Sequence, residues 1–229
     1  PLAGKTDLIV LPEMFTTGFS MRSEDLAEPM DGPTVRWMQD QAEKLGAVLC
    51  GSFIAEERAL YYNRLVWMRP DGQYFTYDKR HLFTLADEQD YFTPGSERLL
   101  VEWKGWTICP LICYDLRFPV WSRNNGNIDL LLYVANWPSK RRHAWKTLLR
   151  ARAIENQCYT VGVNRIGTDA NEHPYAGDSS CIDFAGEILY QAAQVEQVCQ
   201  MELSHDAQES FRARFPFLRD ADRFTIHVD

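Results

Sequence analysis

Three side chains suited to acid, base or nucleophilic chemistry lie at the ends of hydrophobic runs with the pattern of buried strands. Glu13 and Lys79 follow such runs, and Cys113 ends one. The ends of buried strands are where α/β proteins usually place functional groups. A carboxylate can accept the proton of a thiol, and an ammonium group can stabilise the oxyanion formed when sulfur attacks a carbonyl. Together the three residues predict a cysteine-dependent hydrolase.

Each of these residues also has an ordinary structural interpretation. Most glutamates and lysines are solvated, so Glu13 or Lys79 alone would indicate little. A cysteine in an apolar run is usually a small buried hydrophobe, and Cys109 lies in the same run as Cys113. We favour Cys113 as the nucleophile because it alone adjoins a polar segment, Tyr114-Asp115-Leu116-Arg117. The other cysteines are predicted to be core or near-core thiols: Cys50, Cys158, Cys181 and Cys199.

The elements that must position these residues are a mixture of strands and helices. Two turns with glycine, Arg69-Pro70-Asp71-Gly72 and Phe184-Ala185-Gly186-Glu187, predict hairpins. A helix start is also expected at Pro119. Helical spacing of apolar residues predicts helices at 34–45 and 143–156. Short apolar runs predict strands at 7–11, 47–53, 64–68, 73–77, 99–103, 106–113, 129–134, 159–163, 180–184 and 198–201.

Composition narrows the classes of protein to consider. With 229 residues, no repeat and no flexible linker, we expect one α/β domain over residues 1–229. A membrane span is not predicted, because the chain lacks an apolar stretch of about 18 residues. The net charge of −8 and the scattered basic residues argue against a nucleic-acid partner. Six cysteines without paired spacing favour a reducing cytoplasm.

The sequence predicts neither a cofactor nor a metal. The histidines lack the spacing of metal ligands, and no glycine-rich nucleotide loop is present. A papain-like thiol hydrolase would need a partner histidine, and no histidine lies in such a signature. The five histidines considered are His81, His143, His173, His205 and His227.

Five segments resemble the successive signature motifs of the nitrilase superfamily of carbon-nitrogen hydrolases, with most similarity to its omega-amidase branch. They are L-P-E-M-F, Y-D-K-R-H-L-F, C-Y-D-L-R-F-P, Y-V-A-N-W-P and R-A-R-A-I-E-N-Q, in family order between Leu11 and Gln157. The resemblance implies an α-β-β-α sandwich, with mixed sheets and helices on the outer faces, and a homodimer or higher homo-oligomer. Relatives usually have another strand and helix before the segment at 7–13, which we expect this chain to lack.

The resemblance also implies a mechanism. Cys113 would attack an amide carbonyl, while Lys79 and the backbone N–H of Tyr114 would hold the oxyanion. Glu13 would carry protons to the leaving ammonia and from the attacking water. A supporting glutamate is expected between the lysine and the cysteine. Glu88 is the best-placed candidate, with an ordinary loop carboxylate as its alternative interpretation.

The expected substrate is a small amide. Omega-amidases hydrolyse the terminal amide of alpha-keto diacid monoamides such as alpha-ketoglutaramate and alpha-ketosuccinamate. Arg117 is the first candidate for binding the substrate carboxylate, although it could instead brace the segment after Cys113 by pairing with Asp115 or a backbone carbonyl. Arg141 and Arg142 are the fallback cations. Asn136 and Trp137, which follow the run at 129–134, are expected to form a pocket wall, with core packing as the alternative for Trp137.

Two competing functions remain open from the sequence. Nitrile or N-carbamoyl hydrolysis is the nearest alternative within the family. A non-catalytic binding protein on the same fold is the alternative of another class. The presence of all three residues of the trio argues against the second.

Overall fold

The computed structural model describes residues 2–125, 127–192 and 194–227. Its residue contacts group into two units. The first unit holds residues 2–99 together with Ile112–Tyr114 and Val134–Asn136, and the second holds the remaining described residues. The glutamate, lysine and cysteine of the predicted trio all belong to the first unit.

The first unit contains a four-stranded sheet in the order β1-β2-β3-β4. β1 is parallel to β2, and the other neighbours are antiparallel. The strands are β1 Leu8–Val10, β2 Val48–Glu57, β3 Leu60–Met68 and β4 Tyr74–Asp78. Two helices precede β2, namely α1 Ser23–Leu26 and α2 Pro33–Leu45.

Helix α2 covers one face of this sheet. Proline at its first position has the backbone angle a helix requires, and Gly46 ends it with φ 65°. Its apolar positions Val35, Met38 and Ala42 pack in one cluster with side chains of β2 and β3. Burial of this stripe fixes the register of β2, because a shift by one residue would turn the inward side chains outward.

The second unit contains a six-stranded sheet in the order β12-β11-β8-β7-β6-β5 and a separate β9–β10 hairpin. The strands are β5 Val101–Trp103, β6 Trp106–Ile112, β7 Leu130–Ala135, β8 Tyr159–Asn164, β9 Ile166–Thr168, β10 Pro174–Ala176, β11 Ser180–Ile182 and β12 Ile188–Gln191. Its helices are α3 Arg142–Asn156 and α4 His205–Arg214.

Helix α3 lies close to β8 at a glycine. A side chain at Gly162 would come within 2.6 Å of Leu149 and 2.7 Å of Trp145. Both of these helix residues are fully buried. The absence of a side chain at Gly162 therefore lets the apolar face of α3 reach the strand.

Most predicted elements are confirmed, with ends shifted by a few residues. Both glycine turns form the hairpins that they predicted, since β3 pairs with β4 and β11 with β12 in antiparallel fashion. Gly72 and Gly186 have φ of 82° and 89°, which explains the need for glycine. The elements α1, β9, β10, β12 and α4 were not predicted from the sequence.

Three predictions are wrong. The segment 198–201 is not a strand, and Val198 is 78% exposed, so the apolar run has no sheet to join. Cys199 is exposed rather than a near-core thiol. No helix starts at Pro119. A 3₁₀ helix, Cys113–Arg117, precedes Pro119, and a short turn region follows it. This region ends where the side chain of Asn124 bonds the carbonyl and the N–H of Ile128.

Among the described residues, no helix is both long and apolar enough to cross a membrane.

Candidate active site

Glu13 lies in a tight turn after β1 that is tied to β2. The backbone N–H of Met14 donates to Ser52 Oγ at 2.9 Å, and that of Phe15 donates to the Ser52 carbonyl at 3.0 Å. Met14 has φ 42°, so the chain reverses sharply just after the glutamate. Glu13 is only 1% exposed. The turn therefore holds the carboxylate inside the first unit.

Lys79 follows β4 and is held by its main chain on both sides. Its N–H donates to the Asn63 carbonyl at 3.0 Å, and its carbonyl accepts from Gly95 N–H at 2.9 Å. The buried ammonium lies 3.1 Å from Glu13 Oε1 and 2.8 Å from Glu88 Oε2. The ring of Phe19 covers it, with 5.3 Å between Nζ and the ring centroid. Lys79 thus joins two carboxylates away from solvent.

Glu88 is the candidate for the supporting carboxylate that the family resemblance implied. It begins the 3₁₀ helix Glu88–Asp90 and is completely buried. Its Oε2 accepts from the backbone N–H of Phe83 at 2.6 Å, and both of its oxygens accept from the ammonium of Lys79. The side chain is therefore fixed at both oxygens and is no solvated loop residue.

Cys113 lies at the junction of β6 and the 3₁₀ helix Cys113–Arg117. Its φ of 43° is in the left-handed region, which L-residues adopt at a cost of about 1 kcal/mol or more. It contacts the side chain of Glu13 and the backbone N–H of Asn136. Cys109, inside β6, is completely buried among the strand's apolar residues. The strained position belongs to the cysteine that faces the carboxylate.

The surroundings of Cys113 favour the neutral thiol. Burial raises the pKa of Cys113 well above its ordinary value, and the negative charge of Glu13 and its hydrogen bond raise it further. Lys79 and the Asn136 N–H act in the opposite direction but do not outweigh these effects. The thiol therefore keeps its proton and donates it in a hydrogen bond to Glu13.

The same cluster determines the direction in which the pKa values of Lys79 and Glu88 are shifted. Burial alone would lower the pKa of Lys79, but the carboxylates of Glu13 and Glu88 hold it above its ordinary value. Burial, together with the charge of Glu13, raises the pKa of Glu88, against the pull of Lys79. The lysine is thus a stable ammonium.

Asn136 lies against Glu13. Its backbone N–H donates to Glu13 Oε2 at 2.8 Å, and its side-chain Nδ2 donates to the Glu13 carbonyl at 2.6 Å. The residue was expected in a pocket wall. In the structure it clamps both the side chain and the main chain of the glutamate.

Arg117 and Trp137 contact each other in the second unit. The guanidinium carbon of Arg117 lies 5.0 Å from the Trp137 ring centroid, a cation–π distance. Trp137 is buried, and its indole N–H donates to the Arg141 carbonyl at 2.9 Å. This contact is compatible with a structural role for Arg117 as well as with binding of an anion.

Two further residues named from the sequence, Arg142 and Tyr114, have other contacts. Arg142 forms a two-pronged ion pair with Asp178, at 2.8 and 3.0 Å, so it is already neutralised. The ring of Tyr114 packs edge-on against Phe83, with centroids 5.0 Å apart.

Asn63 is a member of the cluster that the sequence analysis missed. It is completely buried in β3, and its Nδ2 donates to Glu13 Oε1 at 2.8 Å and lies 3.5 Å from Glu88 Oε1. The available signal was a polar residue at the start of the run at 64–68. That signal is weak because many strands begin with polar residues.

One group of side chains in the described chain has the composition of a metal site: Asp129, His205 and Glu209. The guanidinium of Arg212 already contacts Asp129 at 2.8 Å and Glu209 at 3.2 Å. A divalent cation there would have to displace this arginine, so the group fits a metal poorly.

The family model for carbon-nitrogen hydrolases matches residues 2–213. The chain belongs to the carbon-nitrogen hydrolase family. The omega-amidase YafV of Yersinia enterocolitica is 47% identical over 222 residues, which cover 96% of this chain and 86% of that protein. The 2-oxoglutaramate amidase of Bacillus subtilis is 37% identical, covering 91% and 81% of the two chains.

A solved structure of another carbon-nitrogen hydrolase is very similar. XC1258 from Xanthomonas campestris, a protein with an arsenic adduct in its active site, superposes with a TM-score of 0.97. It is 51% identical, and the match covers 99% of this chain and 89% of that chain. These similarities confirm the nitrilase-like α/β fold and the likeness to the omega-amidase branch.

Proposed function

We propose that this carbon-nitrogen hydrolase is an omega-amidase that releases ammonia from alpha-keto diacid monoamides such as alpha-ketoglutaramate (2-oxoglutaramate) and alpha-ketosuccinamate. The observation that carries the proposal is the buried contact of the neutral Cys113 thiol with Glu13, whose Oε1 is bound by Lys79. The names of two relatives, an omega-amidase and a 2-oxoglutaramate amidase, support the choice of substrate.

Acylation begins with the thiol. Glu13 accepts the proton of Cys113 as sulfur attacks the amide carbon, and the carbonyl oxygen becomes an oxyanion. The ammonium of Lys79 and the backbone N–H of Tyr114 stabilise this oxygen. Glu13 then gives its proton to the leaving nitrogen. The carbon–nitrogen bond breaks, ammonia departs, and a thioester on Cys113 remains.

Deacylation uses the same groups in reverse. Glu13, ionised again, takes a proton from water, whose oxygen attacks the thioester carbon. The carbon–sulfur bond breaks, the carboxylic acid leaves, and Glu13 returns the proton to the sulfur. Glu88 and Lys79 stay fixed throughout, because each is bound by groups that the reaction does not change.

Arg117 is the proposed reader of the distal carboxylate of the substrate. It lies against the Trp137 ring and has no ion pair within the described residues, whereas Arg142 is paired with Asp178. A guanidinium without an anion is suited to two-pronged binding of a carboxylate. Trp137 would fix the orientation of the guanidinium and supply apolar surface.

Ammonia release from matched amides tests this proposal. Alpha-ketoglutaramate should be hydrolysed better than an uncharged amide of equal length. Arg117→Ala should weaken this preference by about 2 to 5 kcal/mol in transition-state binding, with little change for the neutral amide. Arg142→Ala is the matched control and should leave the preference unchanged. An equal loss for both amides would make Arg117 structural, and faster turnover of nitriles or N-carbamoyl compounds would replace the proposed activity.

We also propose, from the family resemblance, that residues 1–229 act as a single catalytic domain without a cofactor, in the cytoplasm and as a homodimer or higher homo-oligomer.

A further inference from the structure

We propose that Asn63 is a positioning residue that fixes the Glu13 carboxylate by binding Oε1 and so leaves Oε2 to receive the Cys113 proton. The inference rests on the proposed role of Glu13 as the base. Nothing in the sequence motifs pointed to Asn63, and its position emerges only from the structure.

The main chain fixes Asn63 before its side chain acts. It lies within β3 opposite Ile54 of β2, and its carbonyl accepts the N–H of Lys79 at 3.0 Å. The side chain is completely buried. The amide group is therefore held next to the acidic cluster by the sheet itself, and substitution of the side chain leaves the bond to Lys79 in place.

The two oxygens of Glu13 have different partners. Oε1 accepts from Lys79 Nζ at 3.1 Å and from Asn63 Nδ2 at 2.8 Å. Oε2 accepts from the Asn136 N–H at 2.8 Å, and that same N–H also faces the sulfur of Cys113. Two donors thus occupy Oε1, whereas Oε2 shares the Asn136 N–H with the sulfur of Cys113.

The chemistry of the amide group suits this task. Lys79, Glu88 and Cys113 are charged or titratable groups near Glu13, and Asn63 adds a donor to them without adding charge. A donor to a carboxylate stabilises its ionised form. Within the described chain, Asn63 Oδ1 is buried without a hydrogen-bond partner. A buried unpaired acceptor costs free energy. The hydrogen bond donated by Nδ2 is therefore the contact that explains an asparagine at this position.

Asn63→Ala tests the inference through the pH dependence of two reactions. Because a hydrogen bond to a carboxylate favours the ionised form, loss of this donor should move the acidic limb of kcat/KM up by about one pH unit. The maximum of kcat/KM should fall roughly 10- to 100-fold, mainly in kcat. Alkylation of Cys113 by iodoacetamide, located by mass spectrometry, should show the same shift of its acidic limb. Alkylation needs no substrate, so a wrong substrate assignment cannot mimic or hide this result.

Asn124→Ala is the matched control, because Asn124 is also a buried asparagine with several hydrogen bonds, but in the second unit. It should lower the melting temperature without moving either acidic limb. An unchanged acidic limb in folded Asn63→Ala would overturn the proposal.

Asn63→Asp provides a second variant of nearly the same shape. The new carboxyl group can donate to Glu13 while it is protonated, whereas its ionised form repels Glu13. Activity should therefore fall as the pH rises, and the alkaline limb of the pH profile of kcat/KM should move to lower pH. A wild-type profile would contradict the proposal. Failure of both variants to fold would also overturn it, by making Asn63 a structural residue.

Discussion

The chemistry proposed for this site depends on the surroundings of Cys113, which favour its neutral thiol over the thiolate. Burial and the charge of Glu13 raise its pKa, although an ammonium lies in the same cluster. Lys79 lies between two carboxylates, at 3.1 and 2.8 Å, and their negative charges oppose the formation of a thiolate beside them. The nucleophile must therefore be activated by proton transfer to Glu13 during attack.

Glu13→Gln should consequently remove the chemical step. A glutamine keeps the shape of the side chain, but its NH2 group cannot accept from the donors around Glu13 and it cannot carry the proton. We expect kcat to fall roughly 100-fold or more with a small change in KM, measured by ammonia release. Glu56→Gln, at an exposed position of β2, is the control and should retain wild-type rates. A rise in KM alone would contradict the role of Glu13 as the base.

The sequence predicted the members of this cluster unevenly. Glu13, Lys79 and Cys113 were identifiable because each follows or ends a buried run, and strand ends can be located from the sequence. Asn63 was not identifiable, since its contact with Glu13 joins residues far apart in the chain and depends on how β3 pairs with β2. The clamp formed by Asn136 was missed for the same reason, although the residue itself was named.

The elements of the fold were predictable where apolar residues recur over a long stretch. The helices α2 and α3 and the central strands were located from this pattern to within a few residues. Helix α4 was missed because its residues are mostly polar and its attachment depends on hydrogen bonds. The short strands β9 and β10 were missed because three residues carry too little alternation to detect.

Helix α4 is attached chiefly through Arg212, which gives a test at this scale. Its guanidinium bonds to Asp129 at 2.8 Å and to the carbonyls of Ile128 and Gln157 at 2.6 and 2.9 Å. Arg212→Ala removes these bonds, leaves the Ile128 carbonyl with its bond from Asn124, and should lower the free energy of unfolding by about 2 to 4 kcal/mol. Denaturant titration measures the change.

Arg214 supplies the control for that measurement. It lies on the same helix, is exposed, and contacts the ring of Phe215. Arg214→Ala should change the free energy of unfolding by less than about 1 kcal/mol. Equal effects of the two substitutions would show that α4 is not held by the hydrogen bonds of Arg212.

At the scale of the whole molecule, the chain passes repeatedly from one unit to the other. The first unit contains Ile112–Tyr114 and Val134–Asn136, which are flanked on both sides by segments of the second. Unfolding of the second unit would pull on Cys113 and Asn136 through the main chain. The two units should therefore unfold together rather than in sequence.

Calorimetry tests this expectation. We predict a single unfolding transition for the whole chain, with the calorimetric enthalpy equal to the van't Hoff enthalpy. Loss of ammonia release should coincide with this transition. Two resolved transitions, with activity lost in only one, would contradict the single-domain proposal.

The most direct test of the thioester mechanism compares ammonia release from alpha-ketoglutaramate by the wild type, Cys113→Ala and Cys109→Ala. The two cysteines lie on the same stretch of chain, and both are buried, but only Cys113 contacts Glu13. We predict that Cys113→Ala remains folded and releases no ammonia above background. Cys109→Ala should keep wild-type turnover and lose stability through a small cavity. Turnover at the wild-type rate by folded Cys113→Ala would contradict the thioester mechanism.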